Sequence, residues 1–173
     1  MKKLLILFVV TFTFASCGSI VPLKGSYQQG YEFTTELPKE QVWRSLIDFF
    51  TKKGIGIKLI DKQSGLLISD RYKYDFTLED NLGNLVNPDA FLVIETYKQG
   101  FQNKPRYDDV SSEFNVVIND LVDNKTQIKV NVVNQKAILS VPQGMGHLPR
   151  IINVNGKSTG VLEKLIFEQL TKK

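Results

Sequence analysis

Side chains that carry chemistry near neutral pH are scarce in this chain. Its 173 residues include one histidine, His147, and one cysteine, Cys17. A single cysteine excludes an internal disulfide and a paired-thiol redox centre. A single histidine removes the commonest general base from all positions but one. No apolar run reaches the roughly 20 residues that a membrane-spanning helix needs. There is no internal repeat and no low-complexity tract. Charge leans little to either sign: 22 Lys+Arg stand against 18 Asp+Glu, a formal net charge of +4. Two of those positive charges are Lys2 and Lys3 at the extreme N-terminus. The remaining basic residues are scattered, apart from Lys52-Lys53 and Lys172-Lys173. Such a distribution gives no basic patch for a nucleic-acid backbone, and no nucleic-acid partner is expected.

The most informative stretch is at the start. Lys2 and Lys3 form a positive segment, residues 4–14 are apolar except for Thr11 and Thr13, and Ala15 and Ser16 are small. The only cysteine follows at once. This order fits an export signal with its cleavage site. Phe14-Ala15-Ser16-Cys17 resembles the lipobox of bacterial lipoproteins. The resemblance implies a signal peptide at residues 1–16, lipid (palmitate) attachment at Cys17, and a protein held to a membrane. Gly18 and Ser19 follow with no acidic residue, which by the same resemblance implies the outer membrane and its periplasmic face. The other readings are an ordinary secretory signal with a coincidental cysteine, or a short N-terminal membrane helix. Residues 17–30 are rich in Gly, Ser and Gln without periodicity, and are read as the lipidated cysteine and a flexible tether. Such a tether reaches about 40 Å when extended. Residues 31–173 are long enough to bury a core as one domain without disulfides or metal.

Within the domain, the pattern predicts a strand over 31–37 and then a helix over 39–53. Pro38 suits the first turn. Val42, Trp43, Leu46, Ile47, Phe49 and Phe50 make one apolar face, with Trp43 as its core anchor. Gly54 is placed to end the helix in a left-handed conformation. A strand over 55–60, a turn over 61–65 and extended chain over 66–74, running on towards 78, come next. Residues 80–89 read as a polar loop, 91–97 as a strand, and 98–111 as a second long loop. The clearest hairpin joins 113–122 to 126–139 through Asp123-Asn124-Lys125. Phe114, Val116, Ile118, Ile128, Val130 and Val132 alternate onto one side. Asn115, Asn119, Lys129 and Asn131 fall on the other, which is expected to be wet. Residues 140–155 read as irregular, with a short strand over 150–154. A final helix over 159–170 has Ser158 as its N-cap candidate. The expected class is α+β: an antiparallel sheet of about five to six strands with two helices on one face.

Leu37-Pro38-Lys39-Glu40-Gln41-Val42-Trp43, Lys53-Gly54-Ile55 and Asp61-Lys62-Gln63-Ser64-Gly65-Leu66-Leu67 resemble the repeating domain of the BamC lipoprotein family. That family belongs to an outer-membrane β-barrel assembly machine. The start of the last helix, Ser158 to Glu163, is of the same kind. The resemblance implies the α+β fold and a non-enzymatic interaction or scaffold role in outer-membrane assembly or maintenance, with envelope protein partners. This chain has one such domain rather than two, and no counterpart of the family's long N-terminal partner-binding region. The element order also resembles the helix-grip (START-like) folds, which implies, as the alternative, a binding protein for an apolar small molecule or lipid.

Few residues point to catalysis. His147 lies in a Gly-rich loop over 143–149 and reads as an ordinary surface residue. Gly144-x-Gly146 lacks the glycine spacing and lysine of a phosphate loop. Glu79-Asp80 and Asp108-Asp109 lack the ladder of oxygen ligands that calcium wants, and read as solvated loop charge. Ser111, Ser112 and Ser158 have no histidine at triad spacing. No catalytic residue, metal or cofactor is therefore expected, and the protein is read as not an enzyme. The loop 98–109 interleaves aromatic and basic residues. Phe101, Arg106 and Tyr107 are its candidates for contact with a partner, since interfaces are enriched in such residues. The other reading folds this loop over the sheet with Phe101 beneath it.

Overall fold

The computed structural model describes residues 18–28, 30–98, 105–142 and 148–171. In chain order the elements are β1 (Ser19–Val21), β2 (Tyr31–Thr35), α1 (Lys39–Lys53), β3 (Ile57–Asp61), β4 (Leu66–Ser69), β5 (Tyr72–Lys73), β6 (Phe76–Thr77), β7 (Leu92–Ile94), β8 (Thr96–Lys98), β9 (Arg106–Asp120), β10 (Thr126–Val141), β11 (Arg150–Val154), β12 (Gly156–Ser158) and α2 (Val161–Thr171). The fold is α+β, as the sequence pattern predicts.

Strands β9 and β10 form a long antiparallel ribbon from which the main sheet grows. A 3-10 turn, Val122–Asn124, joins them, with Asn124 in the left-handed region at φ 56°. The outer edge of β10 is shared end to end by β2, opposite Thr126 to Val130, and β11, opposite Ala137 to Val141. The outer edge of β9 is shared by β4 and β5, and β3 lies beyond β4. The result is a seven-stranded sheet. Two smaller sheets complete the chain: β12-β7-β6, with β6 and β7 parallel, and the antiparallel pair β1-β8.

Both helices cover one face of the main sheet. Phe50 of α1 stacks on Phe114 of β9 with ring centroids 5.8 Å apart. Phe167 of α2 meets Phe33 of β2 edge-on at 5.0 Å. Phe33 is cross-strand to the buried Ile128, so both contacts lie on the core side. Helix α1 runs over its predicted span. Pro38 occupies the N-cap position, and its carbonyl accepts from Gln41 and Val42. Gly54 closes the other end at φ 68°, which returns the Ile55 N–H to the Phe50 carbonyl at 2.9 Å. Trp43 is 1 % exposed and sits among the largest fully buried side chains. Gly65 closes the β3–β4 turn at φ 76°, and a Cβ there would run into the Ile118 carbonyl. The close approach lets the Ile118 N–H donate to the Gly65 carbonyl at 2.8 Å.

Several expectations are corrected. The sheet has seven strands rather than five to six, because β2 and β11 share one edge and β4 and β5 share another. The long loop expected over 98–111 is strand from Arg106 onward, and the ribbon's second strand runs on to Val141. The distal part of the ribbon buries Val110, Ala137, Leu139 and Val141 on one side, and its polar side chains pair with one another. Arg106 pairs with Asp108 and Lys136 with Asp109. The extended run over 66–74 is cut into β4, β5 and β6, which take different partners. The strand over 91–97 breaks at Glu95, whose carboxylate accepts from the Asn155 backbone and side-chain N–H groups. Leu92, Val93 and Ile94 are all buried, because β7 is the middle strand of its sheet and is covered on both faces. Ser158 lies in β12 rather than at the N-cap. Gly160 holds that place, its carbonyl accepting from Lys164, while the Ser158 hydroxyl accepts from the Gly160 N–H.

Two substitutions test this packing. Trp43→Ala should lower unfolding stability by about 3–5 kcal/mol, the usual cost of truncating a buried aromatic, with a matching fall in the denaturant midpoint. Gly65→Ala should cost at least the roughly 1–2 kcal/mol of a left-handed non-glycine residue, and more because of the Ile118 carbonyl. A wild-type midpoint for either variant would contradict the assigned packing.

Candidate interaction surface

The face of the main sheet opposite the helices carries the residues expected to be wet. Asn119 and Lys129 are exposed, and Asn115 and Asn131 are half-buried. They come together as read: Asn115 pairs with Asn131, and Asn119 with Gln127. Gln127 links them to the edge, its amide donating to the Glu32 carboxylate at 2.6 Å and accepting from Asn119 at 3.2 Å. The pairing also places Leu66 opposite Val117, Ile68 opposite Asn115, and Leu59 beside Ile68. An apolar strip, Leu59, Ile68, Leu66 and Val117, therefore crosses this face towards β3. Leu59 is 43 % exposed. The sequence pattern missed the strip because β3 and β4 read as apolar runs without a distinguishable solvent side.

Above the strip the ribbon is kinked. The pairing slips between Val133 and Lys136, and Asn134 adopts φ 52°. Arg71 holds the kink, donating to the Asn134 carbonyl at 3.0 Å, the Ser111 hydroxyl at 3.3 Å and the Glu113 carboxylate at 3.3 Å. The Asn134 amide donates to the second Glu113 oxygen at 3.0 Å. A bulge fixed in this way re-aims the distal ribbon.

Two of the three partner-contact candidates are described, and they differ in exposure. Phe101 lies outside the described residues, as do Cys17 and His147. Arg106 is exposed, but its Nε donates to Asp108 at 2.6 Å. Tyr107 follows it on the same strand and so points to the other side. Its ring packs on Phe76 with centroids 4.9 Å apart, and burial raises its hydroxyl pKa. Tyr107 thus belongs to the margin of the core.

The acidic pairs have structural partners. Asp80 caps its own turn by accepting from the Leu82 and Asn84 N–H groups at 2.7 and 2.9 Å. Glu79 holds the N-terminal segment. Its carboxylate accepts from the Lys24 N–H at 2.7 Å, the Gly25 N–H at 2.8 Å and the Tyr27 hydroxyl at 2.6 Å. Burial works to raise the Glu79 pKa, but these donors outweigh it and hold the group below the ordinary carboxylate range. Residues 19–21, expected as part of a free tether, pair with β8 instead. Among the described residues, no group of three or more His, Cys, Asp or Glu is placed to hold a metal ion.

One buried group was not foreseen. Glu163 is 1 % exposed. The Ser158 hydroxyl donates to its Oε1 at 2.7 Å, while Oε2 is buried without a partner. Trp43 Nε1, the Tyr74 hydroxyl and Ser112 Oγ are likewise buried without a completed hydrogen bond. Burial pushes the Glu163 pKa up, and the Ser158 hydrogen bond offsets only part of that. Tyr31 and Tyr74 are raised by their own burial and further by the nearby Glu163. The signal was present in the sequence: Glu163, Ile166 and Leu170 share the i, i+3, i+7 spacing of one helix face.

Open clefts lie at the surface of the described residues. One of about 240 Å³ is lined by Tyr72, Tyr74, Phe91 and the charged residues around them. Another, of about 430 Å³, is lined largely by polar residues between Glu95, Asn155 and the 22–23 segment. Neither lies between the helices and the main sheet, where Trp43, Phe50, Phe114, Leu162 and Ile166 fill the space. Comparison with protein-family models and with curated proteins gives no match.

Glu163 generates a pH prediction. Its folded pKa is raised, so the folded state binds the proton more tightly than the unfolded chain. Its stabilising contribution is complete below the unfolded value and is lost as pH rises through the folded one. The unfolding midpoint should fall as pH rises above the ordinary glutamate range, and Glu163→Gln should flatten that fall. An identical pH slope in both proteins would contradict a neutral buried carboxyl.

Proposed function

We propose that the chain is a lipid-anchored, non-enzymatic protein of the bacterial cell envelope, in which a BamC-like domain acts as an interaction or scaffold module in outer-membrane assembly or maintenance. The observation that carries this reading is Cys17, the only cysteine, placed directly after Lys2-Lys3, an apolar run and two small residues. The fold is compatible with it. The exposed sheet face carries an apolar strip flanked by polar residues, the arrangement of an apolar interface centre with a polar rim. The alternative, an apolar ligand held between sheet and helices, finds less support, because large side chains occupy that volume.

Two experiments test the reading. Growth with an alkyne-bearing fatty acid should label the wild-type chain and leave Cys17→Ser unlabelled, with the variant lost from the washed membrane fraction. Equal labelling and equal fractionation of the two would sink the lipoprotein assignment. Leu59→Lys combined with Val117→Thr should keep the wild-type melting temperature and recover several-fold less of any protein that co-purifies from the native envelope. Undiminished recovery would remove the sheet face from the proposal.

A further inference from the structure

The segment between Cys17 and the first strand of the main sheet is not free chain. Ser19, Ile20 and Val21 pair antiparallel with Lys98, Tyr97 and Thr96. Three residues further on, the Glu79 carboxylate takes the backbone N–H groups of Lys24 and Gly25, and the Lys24 ammonium donates to the Asn81 carbonyl at 2.7 Å. Tyr27 adds its hydroxyl to the same carboxylate. Gly18 lies so close to the Tyr97 ring that a Cβ would overlap the hydroxyl. Three strand pairs and four hydrogen bonds therefore fix residues 19–27 to β8, to Glu79 and to the turn after it. Only Gly18 separates Cys17 from paired strand.

We infer that the domain lies directly against a lipid surface, with the Gly18–Lys98 end of the β1–β8 pair at the headgroups, rather than hanging from it on a tether. This rests on the lipoprotein reading of Cys17. One residue spans about 3.3–3.6 Å, so an acylated Cys17 leaves the first strand within the headgroup layer. A free 18–30 segment would instead allow about 40 Å. Lys98 is exposed and cross-strand to Ser19, which puts a cation beside the anchor where lipid phosphates lie. Ile20 is 43 % exposed on the same strand and can enter the apolar margin of the headgroup layer. Orientation follows as well as height. With β1 held on β8 and the next segment held on Glu79, the anchor cannot swing about the domain, and one end of the fold is fixed towards the membrane.

The test uses the full lipidated chain in a supported bilayer of phosphatidylethanolamine and phosphatidylglycerol, with neutron reflectivity reading the hydrated gap beneath the protein layer. The wild type should show no gap. Val21→Cys with Thr96→Cys, which cross-links two paired positions, should give the same profile. Ile20→Pro, which removes a strand N–H, and Glu79→Ala, which removes the acceptor of three donors, should open or broaden the gap while the domain's circular dichroism is unchanged. A wild type with the gap of Ile20→Pro, closed only by the cross-link, would overturn the inference and leave the lipoprotein reading intact. Should Ile20→Pro fail to fold, the comparison of wild type with the cross-linked form decides alone. A chain that carries no acyl group and does not bind the bilayer overturns both.

Discussion

The structure depends on the pairing of β9 with β10. Strands β2 and β11 add to the outer edge of β10, β4 and β5 add to the outer edge of β9, and β3 extends the sheet beyond β4. The register of this ribbon sets which side chains face the helices. Phe114, Val116 and Ile118 alternate with Ile128 and Val130 into a continuous apolar surface. Phe114 is the node of that surface. Its ring touches Phe50 at 5.8 Å and Tyr74 at 5.6 Å, tying α1 and the β5–β6 connection to the same strand. A slip of one residue would turn this whole set to solvent. Gly65 opposes such a slip, because only a residue without a side chain can approach Ile118 so closely.

The ribbon also divides the molecule by chemistry. Near the Val122–Asn124 turn its core face is apolar and covered by both helices. Beyond the kink at Asn134 the buried side still carries Val110, Ala137, Leu139 and Val141, while ion pairs and the Arg71 network line the other positions. Polar interactions at the kink are buried only in part, so their contribution to stability is modest. Their effect is geometric: they hold Asn134 in a left-handed conformation, and the distal ribbon lies against β11 and β12. The apolar strip on the opposite face lies below this kink, next to the open edge of β3.

Much of this was legible in the sequence where the determinants are local. Helix α1 is bounded by Pro38 and Gly54, and its apolar spacing is regular, so its span matches the prediction. The ribbon turn and the alternation around Phe114 and Ile128 were readable for the same reason. The breaks at 70–71 and at Glu95 were not, since they arise when one extended segment changes partner. The polar start of β9 read as loop because its strand character comes from pairing with β10. The fixed N-terminal segment was invisible for a further reason. It is held by a carboxylate 54–55 residues away, and no local pattern marks an acceptor at that distance. Of the candidate contacts, Tyr107 is half-buried against Phe76, a contact that no local pattern marks because an aromatic in an apparent loop looks free.

The pairing of early strands with late ones has a consequence for the order of folding. Glu32 meets Gln127 across 95 residues of chain, and β1 waits for β8. β1 has no partner until Lys98 has been made, and β2 none until Val130 has been made. Closing such distant contacts is slow compared with local helix or hairpin formation. A chain emerging from its N-terminus therefore stays extended at its leading end for much of its synthesis. That is the condition in which a polypeptide can still be threaded through a narrow pore before its sheet closes.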